Sequence, residues 1–330
     1  MNLKNKLNLK ILEFKDKFNL LKPSGEVVID IAASCNANCP FCPRIYMPKE
    51  RASGFMNIDL FKYTLDKLKS IDIGTIRLYS TAEPMLHPKF DILVNIARQK
   101  GFKLGISTNG SMIHKYIDSL LEFEYIQLSI EGWDKESYEK YRTPLKFENT
   151  LKNIKLLHNK IKNRKNKPFL MTNLLITKKT NYDKYLSLWG EFFDAINVHF
   201  MSKTTLYEKG KFVSKINEEL KDEYYEFIEN RNKICNYPFK ELVVSYDGKI
   251  SLCCNDFFSS FNLGTIYADI VTIWNNKIRK QIRNEFYNNK FNICRDCSIF
   301  YEPTQEAKQE VKQILNKLNS PYKSKLKIGF

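Results

Sequence analysis

Glycine and proline are scarce, 12 and 11 of 330 residues. That excludes collagen-like and low-complexity architectures, and 43% hydrophobic against 27% charged residues excludes a chain too polar to build a core. No run of 18 apolar residues occurs, and the first dozen residues interleave Lys and Asn with Leu rather than forming a continuous apolar segment. Neither a transmembrane helix nor a secretion signal is expected, and the chain reads as cytoplasmic with no membrane partner. Acidic residues are also short, 37 Asp and Glu against 53 Lys and Arg, for a net charge of +16. The lysine excess comes with abundant Asn and Ile, as an A/T-rich coding sequence would give, and no nucleic-acid-binding motif accompanies it. Nucleic acid is therefore not an expected partner, and the basic segments 160–167 and 323–327 read as solvated surface that attracts a phosphorylated or nucleotide-linked small molecule.

What the sequence does have is cysteine. Eight cysteines without a secretion signal point to metal or redox chemistry rather than structural disulfides. Three fall within eight residues, Cys35, Cys39 and Cys42, while Cys235, Cys253, Cys254, Cys294 and Cys297 lie far downstream, so two separate sites are implied. Three thiolates on one tight loop can bind three irons of a cubane and leave the fourth iron open for chemistry. The alternative, a zinc site, would need a fourth ligand nearby, and the nearest histidine is His87.

Short β-rich runs at 27–31, 75–79, 102–106, 125–130, 169–176 and 195–201 alternate with helical patterns at 57–70, 88–100, 111–122, 147–162 and 181–193. Six strands with five intervening helices predict a parallel α/β sheet, closed as an open barrel or doubly wound, with chemistry beyond the carboxyl ends of the strands. The three-cysteine loop follows the first strand. A charged, helical connector is expected over 206–234. Residues 241–253 then read as a hairpin turning at Asp247-Gly248, a helix is expected over 269–288, and 306–330 reads as a peripheral basic tail.

The Cys35-x3-Cys39-x2-Cys42 spacing, with Phe41 before the last cysteine, resembles the radical S-adenosylmethionine (SAM) superfamily. Later strand ends match in family order. Ser80-Thr81-Ala82-Glu83-Pro84 resembles the Gly-Gly-Glu-Pro element, with Thr81 and Ala82 replacing both glycines, and Leu86-His87-Pro88 resembles its continuation. Ser107-Thr108-Asn109-Gly110 and Ser129-Ile130-Glu131-Gly132 resemble the segments near the SAM ribose, with Glu131 in place of the commoner Asp. The resemblance implies SAM contacts at Phe41, Thr81, Ala82, Glu83, Ser107, Asn109, Ser129 and Glu131, with Glu83 at the amino group and Arg142 at the carboxylate, which a guanidinium fork suits. The second set resembles the SPASM/twitch extension of this superfamily in its shorter, twitch form, with Cys235, Cys253, Cys294 and Cys297 as ligands. Four thiolates saturate a cubane, and a structural zinc is the alternative.

The resemblance implies a partial (β/α)6 TIM-like barrel followed by a small α+β auxiliary-cluster domain. The expected divisions are an N-terminal helical extension (1–24), the barrel (25–205), the connector (206–234), the auxiliary domain (235–305) and the tail (306–330). It implies SAM and two 4Fe-4S clusters as cofactors, a reducing flavodoxin or ferredoxin as partner, and formation of a 5′-deoxyadenosyl radical that abstracts a substrate hydrogen. Three outcomes are open. In an oxidation, the auxiliary cluster accepts the second electron. In an epimerisation, Cys254 returns a hydrogen atom. In a peptide modification, the radical is trapped as a crosslink. The layout resembles that of 2-deoxy-scyllo-inosamine dehydrogenase-like twitch enzymes, which favours oxidising a hydroxyl of a sugar-like or aminocyclitol molecule, with His199 and Lys203 as substrate-site candidates. A non-enzymatic iron-sulfur electron carrier is the remaining alternative.

Overall fold

An N-terminal helix, α1 (Leu3–Lys17), leads into six strands, β1 (Glu26–Ile29), β2 (Thr75–Leu78), β3 (Lys103–Thr108), β4 (Tyr125–Leu128), β5 (Phe169–Ile176) and β6 (Ala195–Phe200). They lie side by side in chain order, each parallel to the next. The computed structural model describes every residue except Met1, Asn2, Ser80, Lys209, Gly210, Asn232, Ile234, Asn262 and Phe330. Between the strands run α2 (Ile58–Lys69), α3 (Phe90–Gln99), α4 (Ile117–Leu120), α5 (Lys135–Tyr141), α6 (Phe147–Ile161) and α7 (Tyr182–Trp189).

Periodicity accounts for both element types. α2 starts where the Asn57 side chain accepts from the Leu60 amide, and it buries Leu60, Phe61, Thr64, Leu65 and Leu68 on one face. Strand residues alternate: Ile76, Leu78, Ile126, Leu128, Leu170 and Leu174 are buried, while Arg77, Tyr125, Gln127, Met171 and Asn173 between them are half-buried. The buried set packs in one cluster with the helices, each large aliphatic side chain contributing roughly 1.5–3 kcal/mol. The other face is left open and largely polar.

After β6 the structure departs from the expected connector. Over 206–234 the chain forms strands, not a helix: β7 (Thr204–Glu208) pairs antiparallel with β8 (Lys211–Lys215), a 3-10 turn spans Glu218–Glu223, and β9 (Phe227–Glu229) follows. The Lys and Glu content masked two short runs, Thr204-Thr205-Leu206-Tyr207 and Phe212-Val213, whose β-branched and aromatic residues favour a ladder.

Next come α8 (Tyr237–Lys240), β10 (Val243–Val244) and β11 (Ile250–Ser251). These two strands make the expected hairpin, and Gly248 at φ +80° occupies a turn position that favours glycine. β10 also pairs in parallel with β1, so the cysteine-bearing segment extends the barrel sheet at its first edge. The helix expected over 269–288 is two helices, α9 (Ile270–Trp274) and α10 (Lys277–Tyr287), because the Asn276 side chain caps the second at the Arg279 amide. β12 (Tyr301–Pro303) pairs with β9. The last segment is no loose tail: α11 (Gln305–Lys317) buries Ala307, Val311 and Leu315, and β13 (Leu326–Ile328) pairs in parallel with β6. The result is a nine-stranded sheet whose barrel edges are both covered by chain from beyond residue 240.

Candidate active site

The loop after β1 carries Cys35, Cys39 and Cys42 and is pinned along its length by distant elements. Asn36 donates to Ser111 Oγ (2.9 Å) and accepts from Asn109 Nδ2 (2.9 Å), and the Asn38 amide donates to the Thr143 carbonyl (2.6 Å). Asn217 donates to the Pro40 carbonyl (2.7 Å) and Thr204 to the Phe41 carbonyl (2.9 Å). Arg44, two residues past Cys42, reaches back to the carbonyls of Ala33 (2.5 Å), Thr81 (3.3 Å) and Ala52 (2.6 Å). Such pinning fixes three thiols against one cavity, as a cluster site requires.

That cavity, about 780 Å³, lies at the carboxyl ends of β1 to β4. It brings together the three cysteines with Thr81, Ala82, Glu83, Ser107, Asn109, Ser129 and Arg142. Ser80 lies outside the described residues. Phe41 and Glu131, also expected at SAM, do not line the cavity. The Phe41 ring packs on Tyr141, 6.4 Å between centroids, and under the Arg142 guanidinium at 5.4 Å. Glu131 is buried and forms an ion pair with Arg142. Arg142 in turn donates to Cys39 Sγ (3.3 Å), so one guanidinium links a carboxylate, a ring and a thiol of the cysteine loop.

Glu83 is buried, and its carboxylate accepts from Thr108 Oγ1 (2.8 Å) and from the amides of Asn109 (2.7 Å) and Met85 (3.1 Å). It thereby ties the end of β2 to the end of β3. Burial outweighs these donors and pushes its carboxyl up to about 7. The replacement of glycine by Thr81 has a structural partner: its hydroxyl donates to Asp30, a buried acid at the end of β1 that burial lifts to about 6. His87 serves as a clamp, its Nε2 2.8 Å from the Met56 carbonyl and its Nδ1 accepting from the Lys89 amide. Sequence reasoning missed Arg44, Tyr79 and Phe257 on the cavity wall. The first follows the cysteines closely enough to have been a signal, whereas Phe257 arrives from the far cysteine segment and leaves none.

Cys235, Cys253, Cys294 and Cys297 line a second, tight and apolar cavity with Phe212, Leu252, Phe286 and Ile299. Each is buried, and burial raises all four thiols, Cys235 to about 12 and Cys253 and Cys294 well above the ordinary thiol range. Four converging neutral thiols in an apolar pocket suit a group that binds them as thiolates and releases their protons. Among the described residues no three His, Cys, Asp or Glu side chains close on a single metal ion; each cysteine set borders a cavity instead. Near the second set, Thr205 Oγ1 donates to Ser298 Oγ (2.7 Å), and Asn255 Nδ2 lies 3.7 Å from Cys297 Sγ. Cys254 stands apart from both cavities. Its amide donates to Glu241 (2.9 Å), its thiol meets Tyr237 and Glu241, and burial raises it. Lys203 lies over the Tyr301 ring at 5.0 Å and borders a third cavity with Phe41, Met201 and Phe257, whereas His199 is exposed on β6 beside Gly329.

Comparison with known proteins agrees with this geometry. Residues 29–185 match the Radical SAM superfamily, and residues 235–298 match SPASM, an iron-sulfur cluster-binding domain. The chain carries a radical SAM domain of partial-barrel α/β fold followed by a small SPASM domain, a pairing that implies SAM and iron-sulfur clusters as cofactors. It is 34% identical over 86 residues to a tungsten-containing aldehyde ferredoxin oxidoreductase cofactor-modifying protein of Pyrococcus furiosus, a match over 26% of this chain and 24% of that one. It is 31% identical over 88 residues to an S-adenosylmethionine-dependent nucleotide dehydratase of Selenomonas ruminantium, over 27% and 31% of the two chains. The matches thus span under a third of either relative. Among solved structures, BtrN in complex with AdoMet and 2-DOIA aligns over 83% of this chain and 93% of its own, at TM-score 0.53 and 16% identity. Streptococcus suis SuiB aligns over 84% and 72%, at 0.60 and 17%. At these identities they share the fold. Among the described residues no helix is long and apolar enough to cross a membrane.

Proposed function

We propose that this radical SAM enzyme oxidises a hydroxyl group of a sugar-like or aminocyclitol small molecule. When bound, SAM and the three-cysteine cluster would supply hydrogen-atom abstraction from the substrate, and the four-cysteine cluster would supply an acceptor for the remaining electron, the hydroxyl proton passing to solvent. Cys35, Cys39 and Cys42 hold the first cluster, and Arg142, Glu83, Thr81, Ala82, Ser107, Asn109 and Ser129 surround SAM. Phe41 and Glu131 position Arg142 rather than touch the ligand. In this reading 25–205 is the catalytic unit and 235–305 the auxiliary one.

The observation that carries oxidation is the arrangement of the far cysteines. Four line one cavity, whereas Cys254, the candidate hydrogen donor, lines neither cavity and contacts Glu241 and Tyr237. The open face of the barrel sheet supports a hydroxylated substrate, because Gln127, Asn173 and Asn197 carry half-buried amides there, with Asn197 donating to Asn173 at 3.4 Å. The BtrN-like layout points the same way.

Anaerobically reconstituted protein given SAM and dithionite should release 5′-deoxyadenosine, and it should hold close to eight irons on the two-cubane reading. With a panel of aminocyclitols and sugar phosphates, one ketone should form per SAM consumed, and Cys294→Ala should abolish the ketone while leaving some SAM cleavage. Deuterium from solvent at an inverted carbon, lost in Cys254→Ala, would replace oxidation by epimerisation.

A further inference from the structure

α10 buries two arginines completely, Arg279 and Arg283, with guanidinium groups 4.2 and 5.0 Å from the centroid of the Trp274 ring. Arg283 has a carboxylate partner, Asp16 at 2.8 Å. Arg279 has none among the described salt bridges. It donates only to the main-chain carbonyls of Pro238, Glu241 and Ser251, each at a long 3.4 Å, and its Nε has no acceptor. The nearby acids Glu241 and Asp256 favour its charge through space but make no ion pair with it, their oxygens being held by other partners. Glu241 accepts from the Cys254 amide and lies 3.8 Å from Arg77, and Asp256 accepts from the amides of Leu252 (3.1 Å) and Ser260 (2.8 Å). A fully buried cation with no paired anion is expensive unless something else supplies negative charge.

The place of Arg279 in the fold names the source. Two of its acceptors flank the four-cysteine cavity, since Pro238 lines it and Ser251 precedes Cys253 by two residues. Phe286, two turns further along α10 on the same face, also lines it. Four thiolates outweigh the positive charge of a cubane core in either of its usual oxidation states, so the loaded site is anionic. Charge near a cluster, together with hydrogen bonds and burial, sets its potential.

We propose that Arg279 is the buried counter-charge of the cluster held by Cys235, Cys253, Cys294 and Cys297, and that it raises that cluster's reduction potential. The inference rests on the assignment of a cluster to this cavity. A cation favours the more negative, reduced cluster, which makes the site a better acceptor for an electron leaving a substrate. Arg279 acts through the field at the cluster and is a positioning residue, not a catalytic one.

The test is a redox titration of the reconstituted full-length protein, read by electron paramagnetic resonance, with Cys42→Ala in the background to isolate the auxiliary signal. Arg279→Gln removes the charge and should raise the oxidised-to-reduced ratio at fixed potential about tenfold, a downward displacement of 59 mV for a one-electron couple. Arg279→Lys keeps the charge and should stay within about twofold of the parent ratio. A loaded Arg279→Gln protein with the parent midpoint would overturn the proposal, and so would Arg279→Lys displaced as far as Arg279→Gln. If Arg279→Gln does not fold, Arg279→Met, which also removes the charge, takes its place, a tenfold displacement supporting the charge role and a parent midpoint refuting it. Iron and sulfide counts on the same samples keep the two claims apart: a parent protein without a cluster at these cysteines refutes the cluster itself, whereas a full cluster with an indifferent midpoint refutes only Arg279.

Discussion

At the residue scale the site turns on two buried charges, Arg142 and Glu83. Arg142→Ala should weaken SAM binding by on the order of 2–5 kcal/mol, measured by calorimetry on protein with its iron intact. It also leaves Glu131 buried without its partner, so stability should fall by about 3–5 kcal/mol, and adding Glu131→Ala should recover much of the stability but none of the SAM affinity. Glu83 carries a pH signature. Its carboxyl stands at about 7 in the fold against 4.5 ordinarily, so the folded state keeps a proton that the unfolded chain loses between those values. Its contribution is therefore most favourable below pH 4.5 and declines as pH rises to 7, by about 3 kcal/mol in all. Urea unfolding at pH 5 and pH 8 should show that decline in the parent and a flatter profile in Glu83→Gln. An unchanged profile would place the proton elsewhere. Motif spacing placed both residues at the cavity. It did not show that Glu131 and Phe41 serve Arg142, because an ion pair between neighbouring strand and helix ends leaves no mark in spacing.

At the element scale, α5 delivers Arg142. The Asp134 side chain accepts from the Ser137 amide in a capping box, and Arg142 is the residue that ends the helix. Gly132 makes the entry possible: its φ is +110°, and an added Cβ would sit 2.4 Å from the Tyr138 amide nitrogen, a backbone atom that cannot swing aside. Gly132→Ala should cost more than about 2 kcal/mol of stability and lower SAM affinity by displacing α5, measured by denaturation and calorimetry. A variant with both values unchanged would break the link between this turn and Arg142. The strands, α2, α3, α6 and α7 were legible because they are periodic, whereas the helix expected over 111–122 is a 3-10 turn, Ile113–Lys115, followed by the four-residue α4. α5 and the β7–β8 hairpin were not legible, since short elements in charged sequence are fixed by what they pack against. For β7 that is both cysteine loops, through Thr204 to Phe41 and Thr205 to Ser298.

At the scale of the whole molecule, the last residues close the sheet. β13 covers the edge of β6 in a three-residue register, Leu326 against Ile196 through Ile328 against Val198. Deleting residues 326–330 should lower stability by roughly 1 kcal/mol per lost ladder hydrogen bond and promote association through the bared edge, seen in denaturation and light scattering. A truncated chain with the parent's association state and stability would show the strand to be dispensable.

The sequence by itself determined the parallel α/β order and the two separate cysteine groups, because periodicity and spacing are local properties, and the family resemblance singled out the strand ends that line the first cavity and the four distal cysteines that line the second. Tertiary structure alone decided which side chains reach the cavities. It brought Phe257 to the SAM cavity, turned Cys254 onto Glu241, buried Arg279 behind the four cysteines and placed strands from the far end of the chain on both edges of the barrel. Those contacts join residues from about a dozen to hundreds of positions apart, and they form because unpaired strand edges and apolar faces must be covered. Many segments satisfy that demand equally well in sequence, and only the packed chain selects one.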